Sequence, residues 1–242
     1  MGIFSGNILK LIAAASMLLD HFGVLFFPKI SIFRILGRIA FPIFAFFIAE
    51  GCRYTRDKRR YFLTVFSLGV LFQCVYAIVE ETPYYGVLIT FSLSILLAYA
   101  LQWFKDCLFA GVKAWKSVLV GALFIALVAG VYALNRAFVI DYGFWGCLAP
   151  ALVSLTNPPK NAPAWWGKFV DRSLVKLALL GGALVGIWLK TGYSLQVYSL
   201  FALPLLFLYS GKRGKWKMKY FFYIFYPAHL ALLYGVWFLI NL

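Results

Sequence analysis

Apolar positions in this chain fall in long unbroken runs, neither the alternation of a half-buried strand nor the one-sided stripe of a soluble helix. The runs lie at about 8–27, 31–51, 61–79, 87–108, 118–134, 142–155, 174–189, 195–209 and 220–240, parted by short charged or Gly/Pro-bearing breaks. About 20 apolar residues cross a bilayer core as a helix. The pattern therefore predicts an all-α, polytopic transmembrane helical bundle of about nine helices. The sixth, seventh and eighth runs are short, so tilted, re-entrant or interfacial elements are expected among them and a count of eight or ten stays open. Nine spans would use roughly 180 residues, which leaves no room for a soluble domain. Residues 1–242 read as a single transmembrane domain without internal repeats.

Composition sharpens this. Of the 242 residues 64% are hydrophobic and 13% charged, against about 45–50% and 25% in ordinary globular domains. Lys10 with Leu11–Leu19 could pass for a signal peptide, but Ala13-Ala14-Ala15 precede the apolar run instead of closing it, so the first span is expected to be retained. Cys52, Cys74, Cys107 and Cys147 show no C-x-x-C spacing. They read as packing residues, and no metal is expected.

The formal charge of +15 would invite a nucleic-acid reading in a soluble chain. Here its placement matters more. Five Lys/Arg lie in 53–60, none in 80–86, three in 105–117, one in 135–141, four in 156–176, one in 190–194 and five in 211–219. With Lys10, 18 of the 23 cations fall on one side. By the positive-inside rule the amino terminus and the even-numbered breaks are expected on the cytoplasmic side of the membrane and the carboxyl terminus outside. No nucleic acid is expected as a partner. Anionic membrane lipid is, beside the basic loops.

Asp20, His21, Arg34, Arg38 and His229 interrupt apolar runs, and an ionisable group in the bilayer is costly enough to be a functional suspect. Their depths can be compared. The first two runs meet at Phe27-Pro28-Lys29-Ile30, a tight break that makes an antiparallel hairpin centred near residue 29. Asp20 and Arg38 are equidistant from it, roughly 13 Å below the outer turn at 1.5 Å per residue, so an Asp20–Arg38 ion pair is expected. Arg34 projects from the same helix face as Arg38. His229, beside Pro227, also falls near mid-membrane, which points to one polar site shared by both ends of the chain.

Glu50 closes the second run and either pairs with loop arginines or orders a cytoplasmic entrance. Gln73, Gln102 and Gln196 read as interhelical hydrogen-bonding contacts. A histidine beside an aspartate, facing arginines in a water-poor cavity, offers a base, an acidic partner and cationic stabilisers for a developing oxyanion: the parts of an acyl-transfer site. No Ser or Cys stands ready beside His21, so the acceptor supplies the nucleophile. A terminal amine is partly neutral near pH 7, and His21 suits removal of its proton. The cationic breaks at 53–60 and 211–219 suit a phosphate-bearing donor.

Leu18-Leu19-Asp20-His21-Phe22-Gly23, Arg34-Ile35-Leu36-Gly37-Arg38-Ile39-Ala40-Phe41-Pro42, Ile48-Ala49-Glu50-Gly51 and Tyr226-Pro227-Ala228-His229-Leu230 resemble the TraX family of conjugal pilin acetylases. That family is distantly similar to the membrane acyltransferase superfamily. The resemblance implies an acetyl-CoA-dependent O/N-acyltransferase that moves an acetyl group from the cytoplasm to an amine or hydroxyl of an extracytoplasmic peptide, lipid or glycan, such as a pilin amino terminus. In that reading His21 is the general base, and Asp20 orients it or pairs with Arg38. Arg34 and Arg38 are the acyl-carbonyl and phosphate-side cations, and His229 is a second acid/base or donor-positioning group. Arg53, Arg56 and Arg59 are CoA phosphate contacts, with Glu50 at the same entrance.

The rival readings are a proton-coupled small-solute transporter using the same Asp/His/Arg cluster, and a membrane scaffold whose charges only fix helix register.

Overall fold

The computed structural model describes residues 2–79, 84–216 and 218–241. Most of the predicted break at 80–86, and Lys217 of the break at 211–219, lie outside the described residues. The chain is helical nearly throughout. In order it forms α1 (Gly6–Phe26), α2 (Ser31–Gly37), α3 (Ala40–Tyr54), α4 (Lys58–Val79), β1 (Tyr84–Tyr85), α5 (Val87–Phe109), α6 (Ala114–Ala137), β2 (Val139–Ile140), α7 (Gly143–Ser154), a π turn (Trp166–Val170), α8 (Ser173–Thr191), a 3-10 helix (Ser194–Phe201), α9 (Ala202–Phe207) and α10 (Lys219–Ile240).

Among the described residues, six segments are long and apolar enough to cross a membrane: 6–26, 31–54, 87–109, 114–137, 173–191 and 221–240. These match six of the nine runs; the third, sixth and eighth stand outside the set, the last two being among those expected to be tilted, re-entrant or interfacial. The sixth run becomes the 12-residue α7, about 18 Å long at 1.5 Å per residue and well short of a core about 30 Å thick. The eighth becomes a 3-10 helix followed by the six-residue α9. The third run becomes α4, 22 residues long; its last side chains lie outside the described residues.

The apolar surface of these helices faces outward. On α6, Val118 is 70% and Ile125 69% exposed, which water would not tolerate on this scale and lipid would. The chain is a membrane protein.

The second predicted helix is broken. α2 stops at Gly37 and α3 resumes at Ala40, with a turn at Arg38-Ile39 between them. Pro42 is the cause: it has no N–H for the carbonyl of Arg38 four residues earlier, and its ring crowds that carbonyl.

The residues group into two compact units, Met1–Phe44 with Trp188–Leu242, and Ala45–Ile187. In the first, α1 and α2 form the expected hairpin, closed by Ile30 N–H donating to the Phe27 carbonyl at 2.9 Å. Two glycines permit its tightness, since a Cβ on Gly23 would collide with Phe33 and one on Gly37 with Asp20. The α1 amino terminus is strapped to the basic turn that follows α9. Phe4 N–H donates to Leu208 O at 3.0 Å, Gly6 N–H to Lys212 O at 2.8 Å and Asn7 N–H to Arg213 O at 2.9 Å. Lys212, Arg213 and Lys215 are exposed there.

In the second unit α7 lies along α5 over a core of Leu97, Val131, Ile140, Cys147 and Ala151. Thr90 Oγ1 donates to Asp141 O at 2.7 Å near one end. Near the other, Lys105 Nζ donates to the carbonyls of Ser154, Leu155 and Asn157 at 2.8, 3.1 and 2.7 Å. Lys105, counted with a basic loop in the sequence, is a buried cap on the α7 carboxyl end.

Candidate active site

The first unit brings the polar intruders of both chain ends together. Arg38 Nη2 donates to Asp20 Oδ2 at 2.5 Å, and Arg34 Nε lies 3.5 Å from Asp20 Oδ1. The pairing read from depth alone is present, and both arginines of the i, i+4 pair serve one carboxylate. Arg38 is 8% exposed. Its Nε donates to the Arg34 carbonyl at 3.4 Å and its Nη1 to Gln196 Oε1 at 3.4 Å. Ser16 Oγ, one turn before Asp20, donates to the Leu36 carbonyl and fixes α2 against α1. One carboxylate between two guanidinium groups leaves the cluster positive, a setting that favours an anion or a developing negative charge.

Asp20 makes no hydrogen bond to His21. The His21 ring is held by other partners: Nδ1 lies 2.9 Å from the Met17 carbonyl oxygen and 3.3 Å from His229 Nε2. His229 is buried, its Nδ1 lies 2.8 Å from the Phe225 carbonyl oxygen, and its ring stacks on Phe225 at a centroid distance of 4.9 Å. These contacts assign the tautomers. A carbonyl oxygen only accepts, so each Nδ1 must carry its hydrogen; His229 Nε2 is then a lone pair, receiving His21 Nδ1–H. His21 Nε2 is left as a lone pair with no hydrogen-bond partner among the described residues. The charges of Asp20, Arg34 and Arg38 all act on this ring.

The remaining predicted residues belong to the second unit. Glu50 Oε1 pairs with Lys176 of α8 at 2.9 Å, not with a loop arginine. Arg53 gives both terminal nitrogens to Asp171, each at 2.7 Å, and Lys176 adds a contact to Asp171 at 3.4 Å. Burial pushes the Asp171 carboxyl up, but the hydrogen bond from Arg53 and the charges of Lys176 and Arg53 outweigh it and hold the group below the usual carboxylate value. Arg53 is thus an ion-pair member of this network. Arg56 and Arg59 are exposed and make no ion pair or hydrogen bond among the described residues.

Gln196, read from the sequence as an interhelical hydrogen-bonding contact, makes such a contact to Arg38 and so joins the first cluster. It was visible as a polar residue in an apolar run, but nothing in the sequence separates an interhelical contact from a site residue. Among the described residues no group of three or more His, Cys, Asp or Glu could hold a metal ion.

The family model described as TraX protein matches residues 5–237. A probable fimbrial assembly protein FimC, serogroup H1, of Dichelobacter nodosus is 26% identical over 242 residues, covering 95% of this chain and 94% of its own length. An uncharacterized protein of Rickettsia prowazekii (strain Madrid E) is 37% identical over 67 residues, 28% of this chain and 25% of its own. No solved structure matches the chain significantly.

Proposed function

The chain belongs to the TraX family, and from that membership we propose that it is a cytoplasmic-membrane acetyltransferase. Its donor is acetyl-CoA and its acceptor an amine or hydroxyl on an extracytoplasmic peptide such as a pilin amino terminus. The resemblance to a fimbrial assembly protein along nearly its whole length supports a peptide acceptor. The excess of cations in alternate breaks supports a cytoplasmic amino terminus.

One observation carries the reading. His21 has its Nδ1–H fixed by Met17 and His229 while Nε2 has no hydrogen-bond partner among the described residues, next in sequence to an aspartate clamped by two arginines. That is a base with its basic atom held ready and its orientation set by one Nδ1–H shared between two acceptors. His21 Nε2 takes the proton of the acceptor amine or hydroxyl. The imidazolium so formed keeps Nδ1–H on the Met17 carbonyl and the His229 lone pair, both of which stabilise its charge. Arg38, and Arg34 beyond it, give the site the net positive charge that favours a developing anion.

The residues present fit the donor in kind. Lys212, Arg213 and Lys215 are exposed at the α1 amino terminus and make no ion pair among the described residues, which suits phosphate groups. Arg56 and Arg59 offer a second exposed basic pair; Arg53, taken by Asp171, does not. Acetyl-CoA supplies an activated acetyl thioester: the acceptor atom bonds the acetyl carbon, the carbon–sulfur bond breaks, and the proton held on His21 goes to the departing sulfur.

The test is on purified protein. A ligand present at a hundred times its Kd stabilises the folded state by about 2.7 kcal/mol. Acetyl-CoA is expected to raise the unfolding temperature, and free thiol is expected to appear when a peptide with a free amino terminus is added. Absence of both overturns the reading, and solute uptake into liposomes in their place establishes the transporter.

A further inference from the structure

Gln196 and Ser199 are polar groups with an unexplained burial. Gln196 is 3% exposed and Ser199 fully buried. Gln196 Oε1 is used, as the acceptor of Arg38 Nη1. Its Nε2, with two hydrogens to give, has no acceptor among the described residues, and Ser199 Oγ has no partner either. A buried donor left without an acceptor gives up its hydrogen bond to water and receives nothing in return. Two of them side by side is a cost that packing alone does not return.

Their placement follows from the backbone. Both lie in the 3-10 helix Ser194–Phe201, where residues three apart eclipse one another along the axis. Gln196 and Ser199 therefore project from one face, and Arg38, which touches Gln196, anchors that face to Asp20 beside His21. The Arg38 contact also fixes the amide's orientation, because a guanidinium can only donate, so oxygen meets Arg38 and nitrogen points away from it.

We propose that Gln196 Nε2 and Ser199 Oγ are the donors that receive the carbonyl oxygen of the acyl group, with Arg38 holding the Gln196 amide in place. This rests on the acetyl-CoA reading above and adds to it a named oxyanion site. As the acceptor attacks, the carbonyl π electrons move onto that oxygen, which the two donors hold until the carbon–sulfur bond breaks. These donors meet only the acyl oxygen, so they distinguish acetyl-CoA from CoA. The charge on the oxygen is greatest in the transition state, so they contribute more to turnover than to binding.

The decisive variant is Gln196→Glu, which keeps an oxygen for Arg38 and removes both amide hydrogens. Wild-type protein is expected to be stabilised more by acetyl-CoA than by CoA in thermal unfolding. In Gln196→Glu the CoA effect persists and the preference for acetyl-CoA falls about fivefold in affinity. Turnover falls about 10²–10³-fold, far more than the affinity for acetyl-CoA. Ser199→Ala, the loss of a single oxygen, reads the same preference in a chain that folds even where Gln196→Glu does not; its preference is expected to shrink. Wild-type protein indifferent to both ligands removes the acetyl-CoA reading itself. Wild-type protein that binds CoA and acetyl-CoA equally, or variants that keep the full preference, overturn the oxyanion site and leave that reading standing.

Discussion

Gly37 is the floor on which Asp20 rests: a Cβ built on Gly37 would collide with the Asp20 Cβ and carboxylate. The hairpin brings α2 this close to α1 because the residue opposite the aspartate has no side chain, and the same closeness lets Arg38 reach Asp20 at 2.5 Å. Gly37→Ala must therefore push Asp20 aside or part the helices. Overpacking of this kind costs about 1–3 kcal/mol. The variant is expected to unfold at lower temperature and to lose turnover; wild-type thermal unfolding would show that the contact is not tight.

The Asp20–Arg38 pair separates by its own logic. Removing one partner of a buried ion pair costs about 3–5 kcal/mol, because the other charge stays buried, whereas neutralising both costs little. Arg34 at 3.5 Å softens the loss without replacing the hydrogen bond. Arg38→Ala is thus expected to be less stable than Arg38→Ala combined with Asp20→Asn. Equal unfolding temperatures for the single and double variants would show that the pair does not hold the hairpin.

The histidines are expected to rank by their tautomers. His21→Ala removes the basic nitrogen and should lower turnover about 10²–10⁴-fold, with CoA stabilisation kept. His229 acts through His21. His229→Gln retains an acceptor for His21 Nδ1–H, while His229→Phe keeps the stack on Phe225 and offers none. Turnover is expected to fall in the order His229→Gln, His229→Phe, His21→Ala, with the Phe variant shifting the pH at which activity appears. Equal activity for the two His229 variants would remove the hydrogen bond between the rings from the mechanism.

How much of this was legible in the sequence depended on whether the deciding interaction was local. Asp20 and Arg38 are joined by a four-residue turn, so counting from Phe27–Ile30 set their depths and the ion pair followed. Arg34 and His229 were found by the rarity of charge in apolar runs. The break at Arg38-Ile39 was written in Pro42 but needs the backbone to show that the chain turns there instead of kinking smoothly. The forked Arg53–Asp171 pair joins residues 118 apart, and no pattern along the chain marks that partnership. Lys105 looked like a loop cation because its acceptors, the carbonyls of Ser154, Leu155 and Asn157 at and just past the end of α7, follow a helix whose early end only the fold reveals. The sixth run counts among the nine because hydropathy records that a segment is apolar, while crossing also requires length: α7 is apolar through its contact with α5 and is 12 residues long.

Asp171 gives the second unit a stability that depends on acid. Its carboxyl is held below its ordinary value by Arg53 and Lys176 in spite of burial, so near the ordinary aspartate pKa of about 3.9 the unfolded chain binds a proton that the folded chain refuses. Folding stability therefore rises with pH through this window. The contribution is fully present above about pH 4–5 and is lost as pH falls through the lower folded value. Asp171→Asn cannot titrate and leaves Arg53 with one neutral acceptor. It is expected to unfold at lower temperature than the wild type at pH 6, with the gap closing as the pH approaches 3. Parallel curves for the two proteins from pH 6 to pH 3 would mean that the carboxylate draws no net stability from Arg53 and Lys176.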